Sequence, residues 1–119
     1  MSGTASSGAR GEELALAHLL RRGYTLIERN YRTRRGEIDL IMMDGEELVF
    51  VEVKLRRSAG FGEPVEAVTP AKQRRLRLAA GRYLAERAPA HGGVRFDVVG
   101  VLAPAGGKPR ITHVRQAFF

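Results

Sequence analysis

Cysteine is absent from the 119 residues of this chain, and so is any long apolar run. Without cysteine the protein has neither a disulfide framework nor a thiolate zinc site, and its composition fits a reducing cytoplasm, where we expect it to reside. No apolar stretch approaches the roughly 20 residues that a membrane-spanning helix needs, so we expect no membrane partner. The Ser/Gly/Ala-rich start lacks the basic and apolar regions of a signal peptide.

Acidic residues are the minority charge. The chain has 13 Asp and Glu against 20 Lys and Arg, which gives a net charge of +7. The basic residues are mostly Arg, whose planar guanidinium matches the geometry of phosphate. A positive field of this kind favours an anionic partner, nucleic acid above all, whereas the alternative is a protein that is merely soluble and basic.

The length allows one domain with a modest core. We assign residues 1–9 to a disordered tail and residues 10–119 to a single domain. Hydrophobic periodicity and end signals predict the order of elements, with Thr69 as the N-cap of the second helix and Pro70 in its first turn. The predicted elements are a helix over 11–22, a strand over 24–32, a hairpin within 36–54, a loop over 55–69, a helix over 70–87, and strands over 94–102 and 111–115.

The hairpin is predicted from Asp44 and Gly45, which stand between two apolar runs. This dipeptide is a strong hairpin signal because a type I′ turn needs positive φ at both central residues. With these two residues as the loop, Asp39 lies opposite Phe50. Asp39 is then a diagonal neighbour of Glu52, with their backbones roughly 7–8 Å apart.

Side chains alternate between the two faces of a strand, so this register puts Asp39, Glu52 and Lys54 on one face of the hairpin. Two carboxylates this close can hold one hard cation; the alternative is that the charges simply face water. Glu12, on the first helix, either interacts with the helix dipole from the first turn or reaches the same site. The other face of the hairpin is apolar and is predicted to enter the core: Ile38, Leu40, Met42, Val49, Val51 and Val53.

Three arginines, Arg32, Arg34 and Arg35, precede the hairpin. Phosphate attraction beside metal-binding carboxylates is what a phosphodiester-cleaving site requires, although an ordinary exposed loop is the alternative. Further side chains after the hairpin and on the second helix are predicted to contact nucleic acid: Arg56, Arg57, Lys72, Gln73 and Arg75.

Several other residues receive structural predictions. Asp97, within an apolar strand, is expected to have a structural or hydrogen-bonding role. His18 is expected on a helix surface and His113 at a sheet edge, neither with a function. The terminal pair Phe118 and Phe119 is expected to cover an apolar surface.

Four stretches of the sequence carry a resemblance to a known family: Gly11-Glu12, Gly36-Glu37-Ile38-Asp39, Phe50-Val51-Glu52-Val53-Lys54 and Arg95-Phe96-Asp97. With the order of elements, they make the chain similar to the YraN-like family of bacterial proteins. That family resembles the PD-(D/E)xK nuclease superfamily and is related to archaeal Holliday-junction resolvases. The proline that usually precedes the first acid is here Ile38. The resemblance implies an α/β fold with a restriction-endonuclease-like αβββαβ core, in which helices flank a mixed central sheet.

The resemblance also implies roles for the residues of the hairpin. Asp39, Glu52 and the backbone carbonyl of Val53 would hold Mg²⁺ or Mn²⁺, Lys54 would position or activate the attacking water, and Glu12 would complete the site. The implied activity is metal-dependent hydrolysis of DNA phosphodiester bonds, at Holliday junctions or flaps, by a homodimer. The alternative is a non-catalytic nucleic-acid-binding module that retains the nuclease fold.

Overall fold

The computed structural model describes residues 7–57 and 64–119, in which two helices, a 3₁₀ helix and a single five-stranded sheet are found. The predicted order of elements is confirmed in this part of the chain. The elements are α1 (Ser7–Arg21), β1 (Thr25–Arg32), β2 (Glu37–Asp44), β3 (Glu47–Arg56), the 3₁₀ helix (Pro64–Ala67), α2 (Pro70–Glu86), β4 (Val94–Leu102) and β5 (Arg110–Phe118).

The sheet has the strand order β1-β2-β3-β4-β5. Only β3 and β4 are parallel among these strands, and α2 lies in the connection between them. A parallel pair requires such a crossover, whereas antiparallel neighbours need only short turns. The mixed sheet with its two helices confirms the predicted α/β fold class and is consistent with a restriction-endonuclease-like core.

Each helix covers its own apolar cluster on the sheet. The two clusters separate because side chains alternate between faces along β2, β3 and β4. The α2 cluster includes Ile41, Leu48, Phe50, Leu76 and Tyr83, and the α1 cluster includes Leu16, Leu19, Leu40, Met42, Val49 and Val51.

Thr69 caps α2 by accepting a hydrogen bond from the Lys72 backbone N–H at 3.2 Å, as predicted. Within the described ranges, no helix is long and apolar enough to cross a membrane.

The predicted register of the β2–β3 hairpin is wrong. Asp44 pairs with Glu47, so the two loop residues are Gly45 and Glu46 rather than Asp44 and Gly45. Gly45 alone takes a positive φ, of 61°, at the first loop position; a turn that needs one such residue suits Gly followed by Glu. Asp44 remains in β2, where its carboxylate accepts a hydrogen bond from Arg95 at 2.9 Å.

The corrected register changes the relation between the two acids. Leu40 pairs with Val51, and continuing this register by one residue brings Asp39 opposite Glu52 rather than diagonal to it. The ladder ends there, because the Asp39 carboxylate accepts a hydrogen bond from the Val53 N–H at 2.8 Å in place of a backbone acceptor. The alternation of faces stops at the same point, so Ile38 packs in the α2 cluster and not, as predicted, with Leu40.

The predicted boundaries of α1 and β3 also change. α1 begins at Ser7 rather than Gly11, so residues 7–9 of the predicted tail are helical, while residues 1–6 lie outside the described residues. β3 continues to Arg56, and residues 58–63 of the predicted loop are likewise outside the described residues.

The last strand, β5, is longer than predicted because its pairing with β4 continues as far as Phe96 and Phe118. Phe118 is buried and its ring stacks on that of Phe96, with centroids 4.9 Å apart. Phe119 is 82% exposed, so the expected apolar contact is confirmed for Phe118 alone.

Candidate active site

An open cleft of about 850 Å³ lies at the end of the β2–β3 hairpin where the two strands separate. It brings together most of the residues predicted to form the site. Two predicted residues do not line the cleft. Arg57 lines a second cavity, of about 330 Å³. The Gln73 side chain donates a hydrogen bond to the Val68 carbonyl at 3.0 Å. The predicted residues that line the cleft are Glu12, Arg32, Arg34, Arg35, Asp39, Glu52, Val53, Lys54, Arg56, Lys72 and Arg75.

Asp39 and Glu52 form a close acid pair in this cleft. Burial, and then the charge of Glu52, raise the pKa of Asp39 to about 7, although the hydrogen bond from the Val53 N–H acts in the opposite direction. A hydrogen bond between the two carboxyl groups also raises this pKa, so the pair can share one proton. Without the proton, two negative charges stand close together in a cleft that is partly shielded from water. Such a pair favours a cation.

Two lysines contact the same carboxylate oxygen of Glu52. Lys54, on β3, has its Nζ 3.4 Å from Oε2, and Lys72, on α2, has its Nζ 3.0 Å from that atom. Burial, followed by the hydrogen bond with Lys72, lowers the pKa of Lys54, whereas the contact with Lys54 raises the pKa of Lys72. Lys54 is therefore the lysine biased toward the neutral amine, and Lys72 the one that keeps its charge.

Glu12 stands in the wall of the cleft on α1. Because α1 begins at Ser7, Glu12 lies beyond its first turn, and the interpretation as a first-turn acid is wrong. Gly11 lets α1 approach β3 closely, since a Cβ there would lie 3.3 Å from the Cβ of Leu55. The charge of Glu12 contributes to the raised pKa of Asp39, although less than that of Glu52.

The donor atoms of the cleft fit a hard divalent ion. In the part of the chain that the structure describes, no three acidic or histidine side chains converge as a ready metal cluster. Mg²⁺ does not need one, because it commonly binds one or two carboxylates and completes its shell with water and substrate phosphate. Asp39 and Glu52, with the Val53 carbonyl, are the groups that would hold Mg²⁺ or Mn²⁺. Zinc fits less well, since no histidine is among the residues that line the cleft.

The loop between β1 and β2 carries arginines to the rim of the cleft. The Thr33 hydroxyl oxygen accepts hydrogen bonds from the backbone N–H groups of Arg35 and Gly36, each at 3.1 Å. Gly36 packs so closely against α2 that a Cβ at this position would overlap the backbone oxygen of Arg75. The loop is thereby fixed against α2, with Arg34 exposed at its tip.

Three exposed arginines at the cleft keep their charge uncompensated, whereas a fourth exposed one does not. Arg32 pairs with Glu37 at 3.0 Å. Among the described residues, no carboxylate forms an ion pair with Arg34, Arg35 or Arg75. Exposed guanidinium groups beside an acid pair can bind phosphate without competing for the acids.

The Arg95-Phe96-Asp97 stretch forms a separate buried network, not a part of the cleft. Arg95 donates to Asp97 at 2.9 and 3.0 Å, to Asp44 at 2.9 Å, to Glu47 at 2.7 Å and to the Tyr24 hydroxyl. Burial opposes ionisation of Asp97, but hydrogen bonds from His113 and Arg95 outweigh it and bring its pKa to about 2. The predicted structural role of Asp97 is confirmed: it holds Arg95, which ties the β2–β3 turn to β4.

His113 lies on the edge strand β5, as predicted, but its side chain is enclosed, and His18 is half-buried rather than fully on the helix surface. His113 is buried, with its Nε2 2.7 Å from the Asp97 carboxylate, and the His18 ring lies edge-on to it at a centroid distance of 6.3 Å. Burial, followed by the charge of Arg22, lowers the pKa of His18. The burial of His113 could have been predicted from strand alternation. Ile111, two residues before it, faces the same side of the sheet and packs in the α1 cluster.

The contact of Lys72 with Glu52 was also missed from the sequence. Its signal is the capping pair Thr69-Pro70, which places Lys72 in the first turn of α2. What the cap could not indicate is which part of the sheet that turn would face.

Comparison with known sequences identifies the family. Residues 11–101 match the model of a family described as "Uncharacterised protein family UPF0102". The chain belongs to this family. A UPF0102 protein of Clavibacter michiganensis subsp. michiganensis is 54% identical over 92% of this chain and 93% of its own. One of Rhodococcus opacus is 52% identical over 93% and 94%, and one of Geobacter sulfurreducens is 48% identical over 93% and 87%.

Membership of the UPF0102 (YraN-like) family confirms the family-level resemblance drawn from the sequence. The matched range includes all four residues predicted to form the catalytic site, Glu12, Asp39, Glu52 and Lys54. It ends within β4, before the strand that carries His113. The wider placement in the PD-(D/E)xK superfamily stays a prediction.

Proposed function

We propose that this protein is a metal-dependent endonuclease that hydrolyses phosphodiester bonds in DNA. The observation that carries the proposal is the acid pair Asp39 and Glu52, with Lys54 at 3.4 Å from Glu52, in a cleft rimmed by unpaired arginines. Structural strands rarely keep a buried acid beside a half-buried one, because their repulsion costs free energy. The arrangement is useful where a cation and a phosphate are to be held together.

Each part of the cleft has a task in this proposal. The guanidinium groups of Arg34, Arg35 and Arg75 hold the DNA backbone and orient the scissile phosphate above the acids. Asp39, Glu52 and the Val53 carbonyl would hold Mg²⁺ or Mn²⁺, which supplies Lewis acidity and neutralises developing charge when bound. Lys54, whose pKa is lowered, accepts a proton from the attacking water or, once protonated, donates to a phosphate oxygen. Glu12 orients water from the cleft wall.

The proposed substrate includes branched DNA, and the proposed assembly is a homodimer. Both follow from the similarity to resolvases, which meet a junction that presents two equivalent strands. A cytoplasmic location is part of the same proposal.

The decisive experiment is a panel of linear, flap, splayed and four-way DNA substrates with Mg²⁺ or Mn²⁺. We expect cleavage by the wild type, none after chelation, and a loss of at least about 100-fold in Asp39→Asn and Lys54→Ala. Glu13→Gln is the matched control, because Glu13 neighbours Glu12 on α1 but pairs with Arg29 away from the cleft. Metal-dependent cleavage that survives in both site variants would overturn the assignment.

A second function, a nucleic-acid-binding module without turnover, is favoured by one observation. Glu52 already has two lysine partners, Lys54 and the charged Lys72, so its charge is balanced without a metal ion. Such a module would bind DNA with a steep dependence on salt. It would give no metal-dependent product with any substrate of the panel, whereas the endonuclease cleaves at least one.

A further inference from the structure

Lys72 occupies a position that a cation at the acid pair would need. Its Nζ is 3.0 Å from Glu52 Oε2, closer than the 3.4 Å of Lys54. The Glu52 side chain is only 6% exposed, and a carboxylate buried to that extent requires a charged partner. Of the two lysines, Lys72 supplies the positive charge nearer to Glu52.

Lys72 is also the partner that can leave. Its side chain is 43% exposed and reaches the acid from α2, whereas Lys54 is 17% exposed and belongs to β3, as Glu52 does. The backbone N–H of Lys72 is fixed by the Thr69 cap, so that only the flexible four-carbon stem has to move. Arg75 lines the cleft from the same helix. An ammonium released from Glu52 therefore remains where phosphate is expected to bind.

We propose that Lys72 is a positioning residue that holds the place of the cation on Glu52 in the metal-free protein. Binding of a divalent ion displaces its ammonium from Glu52, and the freed ammonium then pairs with a phosphate of the nucleic acid. This inference rests on the proposed function, because it assigns the same cleft a divalent ion and a phosphate.

Metal binding and the Lys72–Glu52 ion pair compete in this scheme. Removal of the ammonium without loss of the stem should tighten metal binding, because the ion no longer has to break the pair. A role of Lys72 in stability alone predicts no such gain.

The experiment measures Mn²⁺ affinity by electron paramagnetic resonance on the full chain without DNA. We expect Lys72→Met to bind Mn²⁺ roughly three- to tenfold more tightly than the wild type, the range for a half-exposed charged pair. Lys72→Arg keeps the charge and should stay near the wild type. Lys108→Met is the matched control, since Lys108 is an exposed residue of the β4–β5 connection and does not line the cleft.

The outcomes separate the two levels of the proposal. Equal or weaker Mn²⁺ binding by Lys72→Met overturns this inference alone. If neither wild type nor Lys72→Met binds Mn²⁺, the metal site of the proposed function fails, and this inference fails with it.

A second measurement follows the displaced ammonium. The affinity for a short DNA duplex is measured against salt concentration, with Ca²⁺ and with chelator. We expect Ca²⁺ to steepen the decline of DNA affinity with salt more in the wild type than in Lys72→Met. The difference in the slope of log affinity against log salt concentration should be about 0.9, which is the value for one added phosphate contact. An equal change in both proteins overturns the transfer of the ammonium to phosphate.

Discussion

The backbone N–H of Val53 donates a hydrogen bond to the Asp39 carboxylate at 2.8 Å. Asp39 on β2 is thereby bonded to β3, the strand that carries Glu52. This contact ends the β2–β3 ladder and brings Asp39 toward Glu52. The hydrogen bond does not offset burial and the nearby charge of Glu52, both of which disfavour ionisation of Asp39 and raise its pKa. The acid pair is therefore held together in the metal-free protein at a cost in stability, and that cost can be measured.

Asparagine at position 39 should stabilise the metal-free protein at high pH. The folded state holds the pKa of Asp39 at about 7, above its ordinary value of 3.8. Between these values the folded carboxyl keeps a proton that the unfolded chain has lost, so this group makes stability fall as pH rises. We expect Asp39→Asn to be more stable than the wild type at pH 8 by about 1–2 kcal/mol, and the gain to vanish near pH 4.

Urea unfolding at several pH values provides the measurement. Glu46→Gln, which changes an exposed acid in the hairpin loop, should show no comparable gain. A variant Asp39→Asn that is less stable than the wild type at pH 8 would show that the acid pair carries no strain.

Binding of Mg²⁺ or Mn²⁺ should release a proton below pH 7. The ion requires the ionised form of Asp39, and that carboxyl holds its proton up to a pH of about 7. We expect the affinity to rise between pH 5.5 and 7 and to level off above pH 8. Calorimetry in two buffers of different ionisation enthalpy measures the protons released; the same heat in both buffers at pH 6 would contradict this prediction.

Substitution of Asp97 should be far more damaging than substitution of the other acids around Arg95. Asp97→Asn leaves a buried guanidinium short of the counter-charge that is itself fully buried, and we expect a loss of about 3–5 kcal/mol in the free energy of unfolding. Because the pKa of Asp97 is about 2, its stabilising charge is present above pH 3.8 and is lost as pH falls toward 2.

The partly exposed Glu47, which contacts Arg95 at 2.7 Å, gives the comparison. Glu47→Gln should cost no more than about 1 kcal/mol, since Asp97 and Asp44 still balance Arg95. If Asp97→Asn fails to fold, the pH dependence of wild-type stability still tests the prediction, because the free energy of unfolding of the wild type must fall between pH 4 and 2. Equal losses in the two variants would refute the dominant role of Asp97.

Alanine at two glycines should act in opposite directions. At Gly36, a Cβ meets the backbone of Arg75 and the arginine loop has to shift, so Gly36→Ala should lose about 1–3 kcal/mol of stability and weaken DNA binding. At Gly81, in the interior of α2, nothing lies within 4 Å of a Cβ, and Gly81→Ala should gain up to about 1 kcal/mol. Thermal unfolding and fluorescence anisotropy measure both; a stable Gly36→Ala with unchanged DNA binding would contradict the close packing of the loop.

The elements of the fold were predictable because their signals are local. Thr69 and Pro70 marked the start of α2, and the apolar run of 94–102 gave β4 with its correct bounds. The register of the hairpin was not predictable in the same way. Asp44 stays in β2 because of Arg95, which is far away in sequence, and no local pattern indicates that contact.

In the candidate site, too, the residues with local sequence signals were predictable and the contacts between distant segments were not. Asp39, Glu52 and Lys54 were found from strand alternation and from family resemblance, and one residue of error in the loop changed a diagonal pair into an opposite one. The ion pair of Lys72 with Glu52 and the burial of His113 depend on how helices dock on the sheet. That docking is decided by the whole core, not by the segment in which either residue lies.

The position of Arg95 has a consequence for the order of folding. Its guanidinium joins the β2–β3 turn to β4, so the turn gains this tie only after the chain has passed through α2 and closed a long loop. A nascent chain that ended before Val94 would already contain every acid of the cleft. It would still lack Arg95, whose guanidinium ties the turn of their hairpin to β4.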